Sequence, residues 1–204
     1  MTAMSNIREV KMEYKEQKLG IFILETDGTM TDPTNWTKSD NSTILGIYVG
    51  GENCAFVMAL EGELLPWSTQ LNTVVPGVKS EDGSESPTTD YDGIGNTKKF
   101  MAASPNDTEW SSAAYYCNKY KFKNGKNGYL FALGEALVVH KNFTKITQAY
   151  NVIGCSNTAV SLQEGYWTSN QDTRYRAWYG RTAVQDAGTA GRSEEYFVIP
   201  VCQY

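Results

Sequence analysis

His140 is the sole histidine of this 204-residue chain, so a Ser-His or Cys-His nucleophile would have to take its base from that position. It follows Leu137, Val138 and Val139 on a predicted helix with no partner signalled beside it, and reads as a helix-end or half-buried structural residue. The four cysteines, Cys54, Cys117, Cys155 and Cys202, are widely spaced, with no C-x-x-C pair. Zinc and redox motifs use such pairs, so buried free thiols are expected in preference to disulfides, and no metal site. Glu194-Glu195 or Asp90 and Asp92 could supply paired carboxylates, but nothing in the sequence sets their pKa values apart. "DYDG" (Asp90 to Gly93) is too short for an EF-hand loop. "DGIGNT" has G-x-G without the third glycine or the strand–helix setting of a phosphate cradle. No catalytic residue and no cofactor is assigned.

What remains is "GYWTSNQDTRYRAWYGRT", Gly165 to Thr182, which holds five aromatics and three arginines in eighteen residues. Tyr and Trp offer large contact area with few rotatable bonds, and Arg adds forked hydrogen bonds and cation–π stacking. A core strand accounts for Trp167 and Trp178, but not for "DTRYR" and "YGRT". Arg174, Tyr175, Arg176, Tyr179 and Arg181 read either as a binding surface or as an ordinary polar sheet edge. Their aromatic density favours the binding surface.

The bulk numbers narrow the function classes. Formal charge is −5, which argues against a broad nucleic-acid footprint or a basic membrane-surface patch. The 41% hydrophobic content suits a globular protein with a real core. "MTAMSNIREVKMEYKEQ" mixes both charge signs without an apolar run and reads as neither a secretory signal nor a membrane anchor. Residues 1–16 are read as a polar leader whose Ile7, Val10, Met12 and Tyr14 are too irregular for a coiled coil.

The elements that must position the cluster follow from periodicity. Leu19 to Leu24 reads as a strand, Asp27-Gly28 as a turn into a short return strand, and Ile44 to Val49 and Cys54 to Leu60 as two more strands joined by Gly50-Gly51. Residues 77–97, rich in Gly, Ser, Asp, Pro and Thr, read as a long loop or a linker. Trp110, Ala113, Ala114, Cys117 and Tyr120 recur at helical steps, with Asp107 and Thr108 as cap candidates. Further helices are predicted from Leu133 to about Asn142, and over "TKITQAYNVIG", ending at Gly154. Tyr166-Trp167, Ala177-Trp178 and "YFVIPV" (Tyr196 to Val201) then read as strands. Strands, helices, strands without βαβ alternation predict an α+β fold with mixed sheets and two or three helices.

"AAYYCNKY", "GYLFALGEALVVHKN", "GYWTSNQDTRYRAWY" and "YFVIPV" together resemble the C-type-lectin-fold domain of phage and bacterial surface proteins, which is also the formylglycine-generating-enzyme-like fold. Such domains carry a helix with a Cys, a "YLPSLGEL" helix start, "YWSST", an Ala-Trp pair and a terminal "VRPV" strand. "LGIFILETDGT" and "ILGIYVGGENCAFVMAL" resemble their leading strands, so the resemblance spans most of residues 17–204 and favours a loop over a linker at 77–97. Departures are Phe131 and Ala132 in "FALGE", where a side-chain N-cap is lost, and Ile199 in "VIPV", where Arg is expected. "EPN", "QPD" and "WND", by which calcium-dependent lectins ligate metal and sugar, are absent, and the cysteines do not follow the formylglycine-generating pattern.

Within that fold the chain is similar to the variable proteins of diversity-generating retroelements. The resemblance implies that Tyr166, Trp167, Ala177 and Trp178 are scaffold. It implies that Asp172, Thr173, Arg174, Tyr175, Arg176, Tyr179, Gly180, Arg181 and Thr182 are displayed, variable and ligand-binding. It further implies a non-catalytic protein of a phage tail or cell surface whose partner is a protein or glycan receptor on a target cell, with no nucleic acid, no membrane insertion and a homo-oligomer as an option. Two other readings stand beside it: an enzyme relative of the formylglycine-generating type with two cysteines in a cleft, and a structural subunit whose Tyr/Arg cluster is buried in an assembly.

Overall fold

The alternating "GIFILE" forms β1 (Gly20–Glu25), with Ile21 and Ile23 fully buried. Gly28, at φ 90°, turns the chain into the two-residue β2 (Met30–Thr31). β3 (Ile44–Gly50) is buried at every position, because it lies between β1 and β4 (Ala55–Met58) with both faces covered. β5 (Glu63–Pro66) follows. The C-terminal half supplies β6 (Tyr166–Gln171), β7 (Arg176–Arg181), β8 (Asp186–Gly191), β9 (Glu195–Val198) and β10 (Val201–Gln203). The computed structural model describes residues 18–38, 40–69, 75–78, 87–103, 112–182 and 186–204.

Among the described residues two five-stranded sheets result, ordered β10-β4-β3-β1-β2 and β5-β9-β6-β7-β8. All neighbours are antiparallel except β6 and β9, which run parallel with Tyr166 opposite Phe197. "YFVIPV" is not the single strand that its sequence predicts. Pro200 has no N–H to give a ladder, and the chain changes sheets there: β9 pairs with β5 and β10 with β4. The turn is held by Ala59 N–H on the Pro200 carbonyl at 2.9 Å and by Tyr129 and Val201 exchanging backbone bonds at 2.7 and 3.0 Å.

Five α-helices stand among the described residues, where two or three were expected: α1 (Gly93–Ala103), α2 (Ala113–Lys119), α3 (Leu133–Lys141), α4 (Phe143–Val152) and α5 (Ser156–Glu164). α1 corrects the loop reading over its last residues, and a 3-10 turn occupies Pro87–Thr89. Asp92 Oδ1 accepts the Gly95 N–H at 2.9 Å at the start of α1. The predicted caps Asp107 and Thr108, with Trp110, lie outside the described residues, as does the leader; α2 is capped by Ser112, whose Oγ accepts the Tyr115 N–H at 3.2 Å. α4 ends before Gly154 at φ 78°, as its sequence predicts.

Alternation along the second sheet gives it a core on each face. Tyr166 and Phe197 join Phe56, Phe131, Leu133 and Val139 in the larger cluster, which also takes in the first sheet. Trp167, Ala177 and Val198 join Trp67, Val75 and Phe100 in the smaller one. β6, buried at all six positions, is therefore a rigid central strand for what it carries at its end.

Candidate functional site

β6 and β7 are joined by residues 172–175, which form the tip of a hairpin. The N–H groups of Asp172 and Thr173 both donate to the Arg176 carbonyl, at 3.0 and 3.2 Å. The Tyr175 N–H donates to Thr173 Oγ1 at 3.2 Å. Thr173, Arg174, Tyr175 and Arg176 all face solvent. Tyr175 is 58% exposed, and the Arg174 guanidinium carbon lies 5.9 Å from its ring centre. Asp172, half-buried, approaches Arg176 Nε at 3.9 Å.

The tip is gripped from inside the protein. Arg192, 1% exposed, donates from Nη2 to the Thr173 carbonyl at 2.7 Å and to Gln171 Oε1 at 3.1 Å, and its backbone N–H donates to the Tyr175 carbonyl at 3.0 Å. Its guanidinium lies over the Trp67 ring at 4.6 Å. Burial lowers its pKa to about 10, which leaves it a cation at neutral pH. Gln171 extends the grip by accepting the Val75 N–H and donating to the Val75 carbonyl, each at 2.9 Å. Neither residue is signalled locally, because Arg192 sits 19 and 21 residues from these partners.

The nine expected ligand-binding residues do not converge on one patch. From Arg176 to Arg181 the strand advances roughly 17 Å at about 3.4 Å per residue, and its alternation sends Ala177 and Tyr179 to the face opposite Trp178. At the far end Tyr179 stacks on Tyr196 at 4.4 Å with 22° between the planes. Both rings meet Trp167 edge-on, at 6.2 and 4.8 Å. The Arg181 guanidinium carbon lies 5.6 Å from the Tyr179 ring centre, and its Nη2 pairs with Asp186 Oδ2 at 3.2 Å. Asp172, Thr173, Arg174, Tyr175 and Arg176 thus form one group, and Tyr179 and Arg181 another.

Two of the nine are not displayed. Gly180 is buried where a Cβ would come 2.8 Å from His140 Nε2 and 2.9 Å from the Tyr166 ring. Thr182 is 3% exposed, its Oγ1 donating to the Leu162 carbonyl at 2.7 Å. Tyr166, Trp167 and Ala177 are fully buried, and Trp167 Nε1 donates to the Leu65 carbonyl at 2.9 Å. Trp178 is half-buried against the larger core.

The histidine and the cysteines are buried or half-buried. His140 is 3% exposed with neither ring nitrogen hydrogen-bonded among the described residues, and burial lowers its pKa to about 4. None of the four cysteines is in a disulfide. Burial pushes the Cys54 and Cys202 thiols up to about 12, and raises Cys117 and Cys155. Asp90 and Asp92 play separate structural parts. Asp90 Oδ2 accepts from Asn96 and Asn170, both at 2.7 Å, while Asp92 serves the start of α1. Glu194 is turned onto the Gly191 N–H at 2.8 Å.

At α3 the missing side-chain cap is replaced from a distance. Ala132 supplies no cap oxygen, yet Asn170 Oδ1 accepts the Leu133 N–H at 2.7 Å and Glu135 Oε2 accepts the Ala132 N–H at 2.7 Å. Tyr129 donates to Glu135 Oε1 at 2.9 Å. Burial, together with the negative charges of Asp90 and Asp92, raises the Glu135 carboxyl to about 7. Among the described residues no group of three or more His, Cys, Asp or Glu could hold a metal ion, and no helix is long and apolar enough to cross a membrane.

The chain matches no protein-family profile and no curated protein sequence. Among solved structures it is similar to a fimbrial protein from Bacteroides ovatus ATCC 8483, at 15% identity and a TM-score of 0.59 over 92% of this chain. The match takes in 49% of the fimbrial protein, so this chain spans about half its length. The likeness is one of fold, which in this chain packs α-helices with two β-sheets among the described residues.

Proposed function

We propose that this chain is a non-catalytic, surface-located binding protein that grips a protein or glycan receptor on a target cell with the tip of the β6–β7 hairpin. Tyr175 carries the assignment. It is a large aromatic, 58% exposed and flanked by Arg174, on a turn whose backbone is fixed by the buried Arg192. A side chain held out on a preordered turn loses little conformational freedom on binding. The likeness to a fimbrial protein supports a surface location.

The finer assignment is a C-type-lectin-fold variable protein of the diversity-generating retroelement type, on a phage tail or cell surface. Its support is the run of motifs in the C-terminal half, and the burial of Gly180 and Thr182 narrows the displayed set to Asp172–Arg176, with Tyr179 and Arg181 as a second, half-exposed group. Independent copies of the gene should differ at 172–176 and keep Trp167, Trp178, Gly180 and Thr182. A reverse transcriptase with a near-copy of the segment should lie beside it. Uniform copies would remove diversification and leave the fold untouched.

Binding is tested by labelled protein on a glycan array and on a panel of intact bacterial cells. Arg174→Ala with Tyr175→Ala should lower retained signal at least tenfold while the unfolding midpoint stays put. Undiminished signal, or a large drop in midpoint, would overturn the assignment. The alternative of a structural subunit, which the fimbrial likeness keeps in view, would bury the tip in an assembly and requires position 175 to be shielded from surface labelling in the assembled particle.

A further inference from the structure

Among the described residues β8 is an edge strand, and hydrogen bonds around β7 fix which of its backbone groups face outward. The Trp178 and Arg176 carbonyls accept bonds from the β6 side, from Thr168 Oγ1 and the Asp172 N–H, while the Tyr175 carbonyl accepts from Arg192 on the β8 side. Antiparallel residues alternate between bonding toward one neighbour and toward the other. Ala177 and Tyr179 therefore bond toward β8, where they face Ala190 and Gly188. The N–H and C=O groups of Ala187, Thr189 and Gly191 point away from the sheet, a template for another strand.

Four of those six groups are already occupied by the chain itself. Asp186 Oδ1 accepts the Ala187 N–H at 2.8 Å. Glu194 Oε1 accepts the Gly191 N–H at 2.8 Å, and the Glu194 N–H donates to the Gly191 carbonyl at 3.0 Å. Arg176 reaches across the strand, and its Nη2 donates to the Thr189 carbonyl. Arg181 holds Asp186 through the 3.2 Å ion pair, and Asp172 stands 3.9 Å from Arg176 Nε. The strand "DAGTAG" has no Pro, Lys or bulky residue of its own to turn a neighbour away.

We propose that Arg176, Asp186 and Glu194, supported by Arg181 and Asp172, are a guard that keeps a second copy of this chain from pairing along the β8 edge. A second copy is the matching partner because the edge is self-complementary. An antiparallel pair centred on Thr189 places Ala187 opposite Gly191 in both directions, with small side chains throughout. The guard gives Arg176 and Arg181 a task that needs no ligand.

The test is sedimentation of the Arg176→Ala, Asp186→Ala, Glu194→Ala triple variant beside the parent at one concentration. The substitutions move the formal charge only from −5 to −4, one cation and two anions lost, so overall repulsion is retained. The variant should shift to dimers and larger species. Adding Thr189→Pro should return it to the parental boundary, since the Thr189 N–H faces outward and β7 does not use it. Arg174→Ala, an exposed cation outside the guard, should leave sedimentation unchanged. If the triple variant loses its unfolding transition, Arg176→Ala and Glu194→Ala alone are read in the same way, with the same Thr189→Pro reversal. Parental sedimentation of the guard variants, or association that Thr189→Pro does not reverse, would overturn the proposal.

Discussion

Replacing Glu135 by glutamine should change how stability depends on pH, by an amount that its surroundings set. Glu135 is 4% exposed, and its carboxyl titrates at about 7 instead of 4.5. A raised folded-state value means that the contribution is complete below pH 4.5 and is lost as pH climbs through 7. The loss totals about 3 kcal/mol, at about 1.4 kcal/mol per pH unit. His140 works with the opposite sign: buried and neutral, it contributes fully above 6.5, and that is lost as pH falls toward 4. Between pH 4.5 and 6.5 the two slopes cancel. Glutamine keeps an acceptor for the Ala132 N–H and a donor for the Tyr129 hydroxyl, so the fold should survive while the Glu135 slope disappears. Urea unfolding free energies measured from pH 4.5 to 8 should then show the variant gaining on the parent by about 1.4 kcal/mol per unit up to neutrality, with a plateau above it. Parallel curves for variant and parent would refute the buried-carboxyl reasoning.

Gly180→Ala should destabilise by about 1–3 kcal/mol, since the new methyl meets His140 Nε2 and the Tyr166 ring under 3.0 Å; a midpoint equal to the parent's would reopen position 180 as a displayed site. Thr182→Val should cost about 1–2 kcal/mol through the Leu162 carbonyl that it strands, read as a lower urea midpoint. Arg192→Met removes the buried donor to Thr173 and Gln171 and the contact over Trp67, and should cost about 2–4 kcal/mol through the acceptors it strands. Faster amide exchange at Val75, which depends on Gln171, should accompany it, and unchanged exchange would mean that the network is not coupled. By contrast, Tyr175→Ala should shift stability by less than about 0.5 kcal/mol.

Much of the framework is legible in local pattern. β1, β3 and β4 follow from apolar runs bounded by Asp27-Gly28 and Gly50-Gly51, and α2, α3 and α4 from helical spacing and a closing glycine. α1 escapes because Phe100 is the one large apolar side chain on its buried face: Asn96 bonds Asp90 and Thr97 Oγ1 accepts the Leu130 N–H, so most of that face buries hydrogen bonds where a periodicity search looks for apolar side chains. α5 hides similarly, with Thr158 donating to the Leu60 carbonyl at 2.8 Å. In the candidate site, residue types mark out the Tyr- and Arg-rich hairpin but cannot separate display from structure within it. Arg176 and Arg181 have their nearest partners on β8, and Gly180 is fixed by a histidine on α3.

The sequence by itself determined the strands β1, β3 and β4, the helices α2, α3 and α4, and that a ring- and guanidinium-rich segment follows them. Those outcomes depend on side-chain periodicity and backbone freedom within a few residues. Tertiary structure decided the rest: that β9 and β10 belong to different sheets, that Arg192 reaches the hairpin tip, and that Asn170 caps a helix whose own first residue cannot. Each of these is a hydrogen bond or ladder between groups far apart in the chain. A buried polar group must find a partner wherever the fold supplies one, and no local pattern records where that will be.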